Sequence, residues 1–172
     1  TGTGTSTWSL TTASLTAGTH ASIHAVYTAT GSFTGSISAN ITQTVNQKAL
    51  TGSFTTANKT YDGSTAATVL TRTLAGVLAG DVATVSLTGG TATFNTATAG
   101  TGKTVTLTGA TLTGTAAGNY TLASVGTTTA SIAKANATVT VSGYSGVYDG
   151  AAHEPTGTAL GLLSNASTIP IQ

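Results

Sequence analysis

The sequence predicts an all-β protein, and three observations carry that expectation. Thr fills about a quarter of the 172 positions, and Val and Ile are abundant. A branched Cβ packs well on a pleated, half-buried surface and is stiff in a helix. Met is missing, and Glu, Lys, Gln and Arg are scarce. Apolar and polar residues also alternate in short runs between Gly-marked turns, the period of a strand with one face on a core. Disorder is excluded by the same numbers. Disordered chains combine high charge with low hydropathy, whereas here charged residues are 5% and mean hydropathy is +0.23.

Charge narrows the function classes. The net charge is +1, and Lys48, Lys59, Arg72, Lys103 and Lys134 are spread singly. Phosphate binding needs a basic stripe, so no nucleic-acid partner is expected. Near-neutrality gives little repulsion between copies and favours association. Without Cys there are no disulfides or thiolate metal sites. No apolar run approaches the ~18 residues of a membrane span. Thr1-Gly2-Thr3-Gly4 carries neither a start Met nor a leader, so the chain reads as a piece of something longer.

Residues 1–48 read as three strands. Trp8 and Leu10 alternate with polar neighbours, then Ile23, Ala25 and Tyr27, then Ile37, Ala39, Ile41 and Val45. Leu15–His20 is expected to be a turn, and Gly31–Gly35 a second one. Three strands are few for a sandwich, so this stretch reads as the closing part of a module.

Residues 49–134 read as one complete module. Its expected strands are 50–56, 66–73, 82–87, 92–95, 103–108, 120–123 and 128–133. Their buried faces would carry Val69, Val85, Leu87, Phe94, Val105, Leu107, Leu122, Ala130 and Ile132. Turns are expected at Ala79–Asp81, Gly89-Gly90, Ala99–Gly102 and Ala117–Asn119. Seven short strands with Gly-marked turns fit an immunoglobulin-like β-sandwich. Tyr120 stands where a tyrosine corner pins a crossover by bonding back to nearby backbone. His20, after Ala17-Gly18-Thr19, takes the matching place in the preceding module.

Residues 135–172 open a further module, with a strand over Ala137–Val141. Tyr148-Asp149-Gly150 repeats Tyr61-Asp62-Gly63 at a distance of 87 positions, and Lys48 and Lys134 lie 86 apart. That agreement predicts a tandem array with a period near 86. The partial ends hold 48 and 38 residues, together one further period. His20 and Tyr120 are 100 apart, so the modules are not close copies.

Lys59-Thr60-Tyr61-Asp62-Gly63 with Ala117-Gly118-Asn119-Tyr120-Thr121-Leu122 resembles the YDG-type immunoglobulin-like repeats of large bacterial surface adhesins. Gly143–His153 resembles the start of the related MBG-type repeat. Leu15–His20, Ala25–Tyr27 and Thr42–Asn46 are similar to the later part of another bacterial immunoglobulin-like repeat. The resemblance implies a secreted or cell-surface, multi-domain stalk, adhesin or fibre without enzymatic activity, and it supplies no ligand site. The expected role is a stiff spacer, with neighbouring copies as partners through strand complementation at unguarded edges. Two alternatives stand beside it: a module that binds surface glycans or a host, and an accessory domain of a secreted enzyme.

Candidate sites are few, and no catalytic, cofactor-binding or metal-ligating residues are assigned. Asp62 and Asp149 could ligate calcium, but calcium wants six to eight oxygens and the chain has four acids. An Asp before Gly more often closes an Asx turn on its own backbone. His20 and His24 on a strand would stand roughly 13 Å apart, too far to share a metal. No Gly-x-Ser-x-Gly elbow supports a triad. Gly100-Thr101-Gly102-Lys103-Thr104 is similar to the end of a phosphate loop, but Ala97 breaks the pattern and no helix is expected to follow. A Lys–Asn isopeptide bond would need Lys103 with Asn95 or Asn119 and Asp81 or Asp62 as the acid. Asn40, Asn58, Asn119, Asn136 and Asn165 sit in glycosylation sequons, as frequent Thr makes inevitable. Trp8 and Tyr27, a conceivable sugar platform, alternate onto what reads as the core face.

Overall fold

The structure is a computed structural model and describes residues 15–161. The expected Trp8–Leu10 strand and the Asn165 sequon lie outside the described residues. Strand dominates, and the only helical segments among the described residues are two 3₁₀ turns, Ala79–Asp81 and Ala117–Asn119. The protein is all-β.

Four short strands come first: β1 Gly18–Ile23, β2 Val26–Tyr27, β3 Ser36–Ile37 and β4 Ile41–Val45. β1 pairs antiparallel with β4, Thr19 facing Thr44, and β2 with β3, Tyr27 facing Ser36. Gly31, at φ +59°, turns the chain between Thr30 and Phe33. The Leu15–His20 turn is shorter than the sequence suggests, because Gly18 already pairs with Val45. The apolar faces expected on these strands lie open: Tyr27 is 44%, Ile37 68% and Ile41 61% exposed. A two-stranded ribbon has no second layer in which to bury a face.

Next come β5 Lys48–Thr56, β6 Lys59–Thr60, β7 Ala66–Ala67, β8 Val69–Ala75, β9 Ser86–Phe94, β10 Gly100–Thr113, β11 Tyr120–Val125 and β12 Thr128–Ala133. They form a five-stranded sheet, β6-β12-β10-β9-β7, and a three-stranded sheet, β11-β5-β8. β10 and β12 are antiparallel with Thr104 facing Thr129, and β6 runs parallel to β12 with Lys59 facing Ile132. Two residues leave too little pattern for β6 to be seen in the sequence. No strand forms at Val82, because the Asp81 carbonyl takes the amides of Thr84 and Val85 at 2.8 and 3.1 Å and coils the chain there. The runs 82–87 and 92–95 are therefore replaced by one strand, β9, passing through Gly89-Gly90. Likewise, in the expected turn at Ala99–Gly102 only Ala99 stands outside a strand, and Gly100–Gly102 is the bulged start of β10.

Two compact units divide the chain. One takes the described residues up to Thr51 with Leu74–Leu87 and Leu112–Ser124; the other takes Gly52–Thr73, Thr88–Thr111 and the described residues from Val125 on. The first has a core of Leu50, Val85, Ala116 and Tyr120, with Leu74, Val77 and Leu112 packed against it. The second has Phe54, Ala92, Phe94, Val105, Leu107, Ala130 and Ile132. Of the expected core residues, Val69 and Leu122 are only half-buried and the other seven are buried. Finally, β13 Thr138–Ser142 and β14 Thr156–Leu160 pair antiparallel, Thr138 facing Leu160, with Val139 and Val141 exposed.

Candidate functional site

The Tyr-Asp-Gly turns form the first polar cluster. Asp62 Oδ1 accepts the Ser64 amide at 2.9 Å, which is an Asx turn, and Gly63 supplies the left-handed φ of +78° it needs. The Lys59 ammonium donates to Asp62 Oδ1 at 2.8 Å, to the Ser64 carbonyl at 2.9 Å and to Ser64 Oγ at 3.0 Å, which uses all three of its protons. Ser64 Oγ donates its own hydrogen bond to Asp62 Oδ1. Lys59 first, then the Ser64 amide and hydroxyl, hold the Asp62 carboxyl down to about 2. The ammonium also lies 5.7 Å from the Phe94 ring centroid, within cation–π range.

At the second turn, Asp149 Oδ1 accepts the Ala151 amide at 2.9 Å and pairs with His153 Nε2 at 2.8 Å. Those two bonds, the amide leading, lower the Asp149 carboxyl below the usual range. The His153 ring stacks on Tyr144 with centroids 3.8 Å apart and planes 5° from parallel. Both carboxylates thus take donors from their own loops, the cation being Lys59 in one and an imidazole in the other.

Tyr120 builds the second cluster. It is 3% exposed. Its hydroxyl accepts the Leu78 amide at 3.2 Å and donates to Asp81 Oδ2 at 2.6 Å. The Asp81 carboxylate, then burial, raises the Tyr120 phenol above its ordinary value. The corner therefore bonds to backbone far upstream rather than close by, with Asp81 as a partner that sequence reasoning placed in a plain turn. His20 makes the shorter version, its Nε2–H meeting the Thr16 carbonyl at 2.8 Å. Beside Tyr120 opens a cleft of about 390 Å³ lined by Thr16, Asn46, Lys48, Asp81 and Asn119 among others.

The remaining candidates are dispersed. His24 Nδ1 contacts the Ser22 carbonyl rather than His20. Lys103 donates to Thr96 and Thr98, Asp62 is held by Lys59, and Asn119 Oδ1 accepts the Ala17 amide. No Lys–Asn pair with an acid beside it is assembled from these residues. Asn58 Oδ1 accepts the Ser131 amide, so this sequon asparagine is also a structural residue. The Tyr27 hydroxyl meets Thr30 Oγ1 at 3.0 Å, and the residue is 44% exposed rather than in a core. Among the described residues no three His, Asp or Glu gather as a metal site, and no helix is long and apolar enough to cross a membrane. What this arrangement does chemically is to fix turns.

No curated protein and no solved structure matches the chain. The family model described as the YDG domain matches residues 46–130, the stretch that holds the Lys59–Asp62–Ser64 cluster and the Tyr120 corner.

Proposed function

We propose that the chain is a structural repeat segment of a bacterial extracellular fibre or cell-surface adhesin stalk, built from tandem immunoglobulin-like β-sandwich modules. The observation that carries this reading is the recurrence of one turn. Asp62 and Asp149 lie 87 positions apart, and each takes on Oδ1 the amide two residues ahead, at 2.9 Å in both. A local geometry that returns within one position of the spacing of Lys48 and Lys134 supports copies of one module along the chain. Residues 1–48 are then the closing part of one module, 49–134 a YDG module and 135–172 the opening part of an MBG-type module. The β1–β4 and β13–β14 strands on either side of the YDG domain fit that division. Asp62 and Asp149 are spent on turns and Asp81 on the Tyr120 hydroxyl, which suits a spacer. Partners are neighbouring copies, joined where the apolar faces of the flanking ribbons lie open.

Electron microscopy with light scattering across a concentration series tests the reading. Filaments with an axial repeat near two module lengths support strand complementation between copies. A monomer at every concentration overturns assembly and leaves a covalent spacer. One observation favours a second reading, a glycan-binding module: the Tyr120 cleft gathers Asp81, Lys48, Asn46 and Asn119. Retention on a glycan array would put that reading ahead.

A further inference from the structure

We infer that the Ala117–Asn119 turn is a docking surface for the closing hairpin of whichever module precedes it, and that it fixes the angle at that junction. The inference rests on the tandem reading only in treating residues 1–48 as the end of a module.

The turn is built before anything docks on it. The Ala117 amide bonds the Gly114 carbonyl at 3.1 Å, and the Asn119 amide the Ala116 carbonyl at 3.0 Å. Its root is fixed to the opposite loop by the Ala116 amide on the Thr84 carbonyl at 3.1 Å. A side chain at Gly114 could not be accommodated, since its Cβ would run into the Thr84 carbonyl at a φ of +116°. Buried Tyr120 anchors the other end. Two acceptors then project toward the preceding strands, and both are taken. The Ala17 amide reaches Asn119 Oδ1 at 2.9 Å, and the Gln47 side-chain amide reaches the Gly118 carbonyl at 2.9 Å. These bonds span 102 and 71 positions of sequence, so they are tertiary contacts and not turn chemistry.

The partner surface is also preformed, because His20 on the Thr16 carbonyl holds the Ala17 turn. Burial agrees: in β4 the four residues Ile41–Thr44 are exposed, and only Val45, which lines the cleft, is half-buried. Recognition uses a backbone amide and a backbone carbonyl, each answered by one side-chain amide. The fitting partner is therefore a hairpin that presents an Ala-Gly turn and a Gln beyond its last strand. Side-chain identity elsewhere in that hairpin is free to vary.

The test is ¹⁵N relaxation on the 172-residue chain, comparing correlation times of β1 and β4 amides with those of β11. Equal times are expected in the wild type. In the Gln47→Ala/Asn119→Ala double variant, β1 and β4 should tumble about twofold faster, with β11 unchanged. Asn119→Asp keeps the oxygen acceptor for Ala17 and should restore equal times. Gln47→Ala alone, an exposed side chain outside the turn, gives a partial effect even if the Asn119 variants fail to fold. Unequal times in the wild type, or equal times in a folded double variant, overturn the inference. Filament formation is read separately by microscopy, so docking and assembly can fail independently.

Discussion

At Asp62 a single carboxylate oxygen takes three donors, from Lys59, the Ser64 amide and the Ser64 hydroxyl, at 2.8 to 2.9 Å. All three favour the anion, which is why the group is held near 2 rather than its ordinary 3.8. A carboxyl lowered by folding contributes stability that is present above its unfolded value and lost as pH falls through the folded one. Asp62→Asn should therefore melt below the wild type at pH 6, and the gap should close between pH 4 and pH 2 in circular-dichroism melts. The pair is half in water, so the gap should also narrow with salt. Tyr120 has the opposite sign. Its raised phenol contributes below pH 10, and that contribution is lost as pH rises through the folded value. Tyr120→Phe should lower the melting temperature at neutral pH and remove from an ultraviolet titration one phenol that ionises above the ordinary value. The Asx turns were legible in the sequence because their bonds run to residues two and three positions away. Asp81 as the partner of Tyr120, and Ala17 as the partner of Asn119, were not. Those contacts span 39 and 102 positions, and nothing local marks which acid or amide will arrive.

At the scale of the element, β9 is the instructive strand. A Gly-Gly pair in an alternating run reads as a break between strands, but the ladder continues through it from Ser86 to Phe94. Gly89 and Gly90 both have positive φ, +67° and +81°, and a Cβ on Gly90 would meet Leu107 Cδ1 at 2.9 Å and the Thr108 carbonyl at 3.0 Å. The pair is a kink that lets β9 close onto β10, the use a strand makes of glycine where another backbone comes near. Gly90→Ala should destabilise by about 1–3 kcal/mol from backbone strain, with the contact adding to it. Gly80→Ala, where nothing lies within 4 Å and φ is not positive, should stay within about 0.5 kcal/mol. Urea melts of the two variants check the contrast. Strand existence was legible from period-two runs, and 128–133 was placed to the residue. Boundaries failed where backbone groups chose their own partners, as the Asp81 carbonyl does with Thr84 and Val85. The fourteen residues of β10 outran the six expected: Gly100-Thr101-Gly102 carries no apolar signal at one end, and at the other Gly109 reads as a break although Ala110 and Leu112 keep the alternation.

For the molecule as a whole, the tension lies between a central region with buried cores and flanking ribbons without one. Leu50, Val105 and Ile132 are fully buried, while Val26, Ile37, Val139 and Val141 are each more than half exposed. Composition gives those open faces almost no protection. Soluble proteins guard open strands with charge or Pro, and this chain is 5% charged with two Pro. Alternation in the sequence placed Ile37 on a face meant for a core; it could not say that no layer covers that face among the described residues. If neighbouring copies supply that layer, the apolar side chains of both ribbons are interface residues, and charge there should act on assembly alone. Ile37→Lys with Val139→Lys should abolish concentration-dependent light scattering and filaments. The melting temperature of the central strands should move by no more than an ordinary surface substitution moves it. Scattering that persists in a folded double variant would place the contact elsewhere, at the strand edges rather than on the ribbon faces. Loss of the central melting transition instead would mean that Ile37 and Val139 support the central strands within one chain. The two ribbons can be charged one at a time, and a heterologous contact predicts that either change alone blocks growth, because each copy must both offer and receive a face.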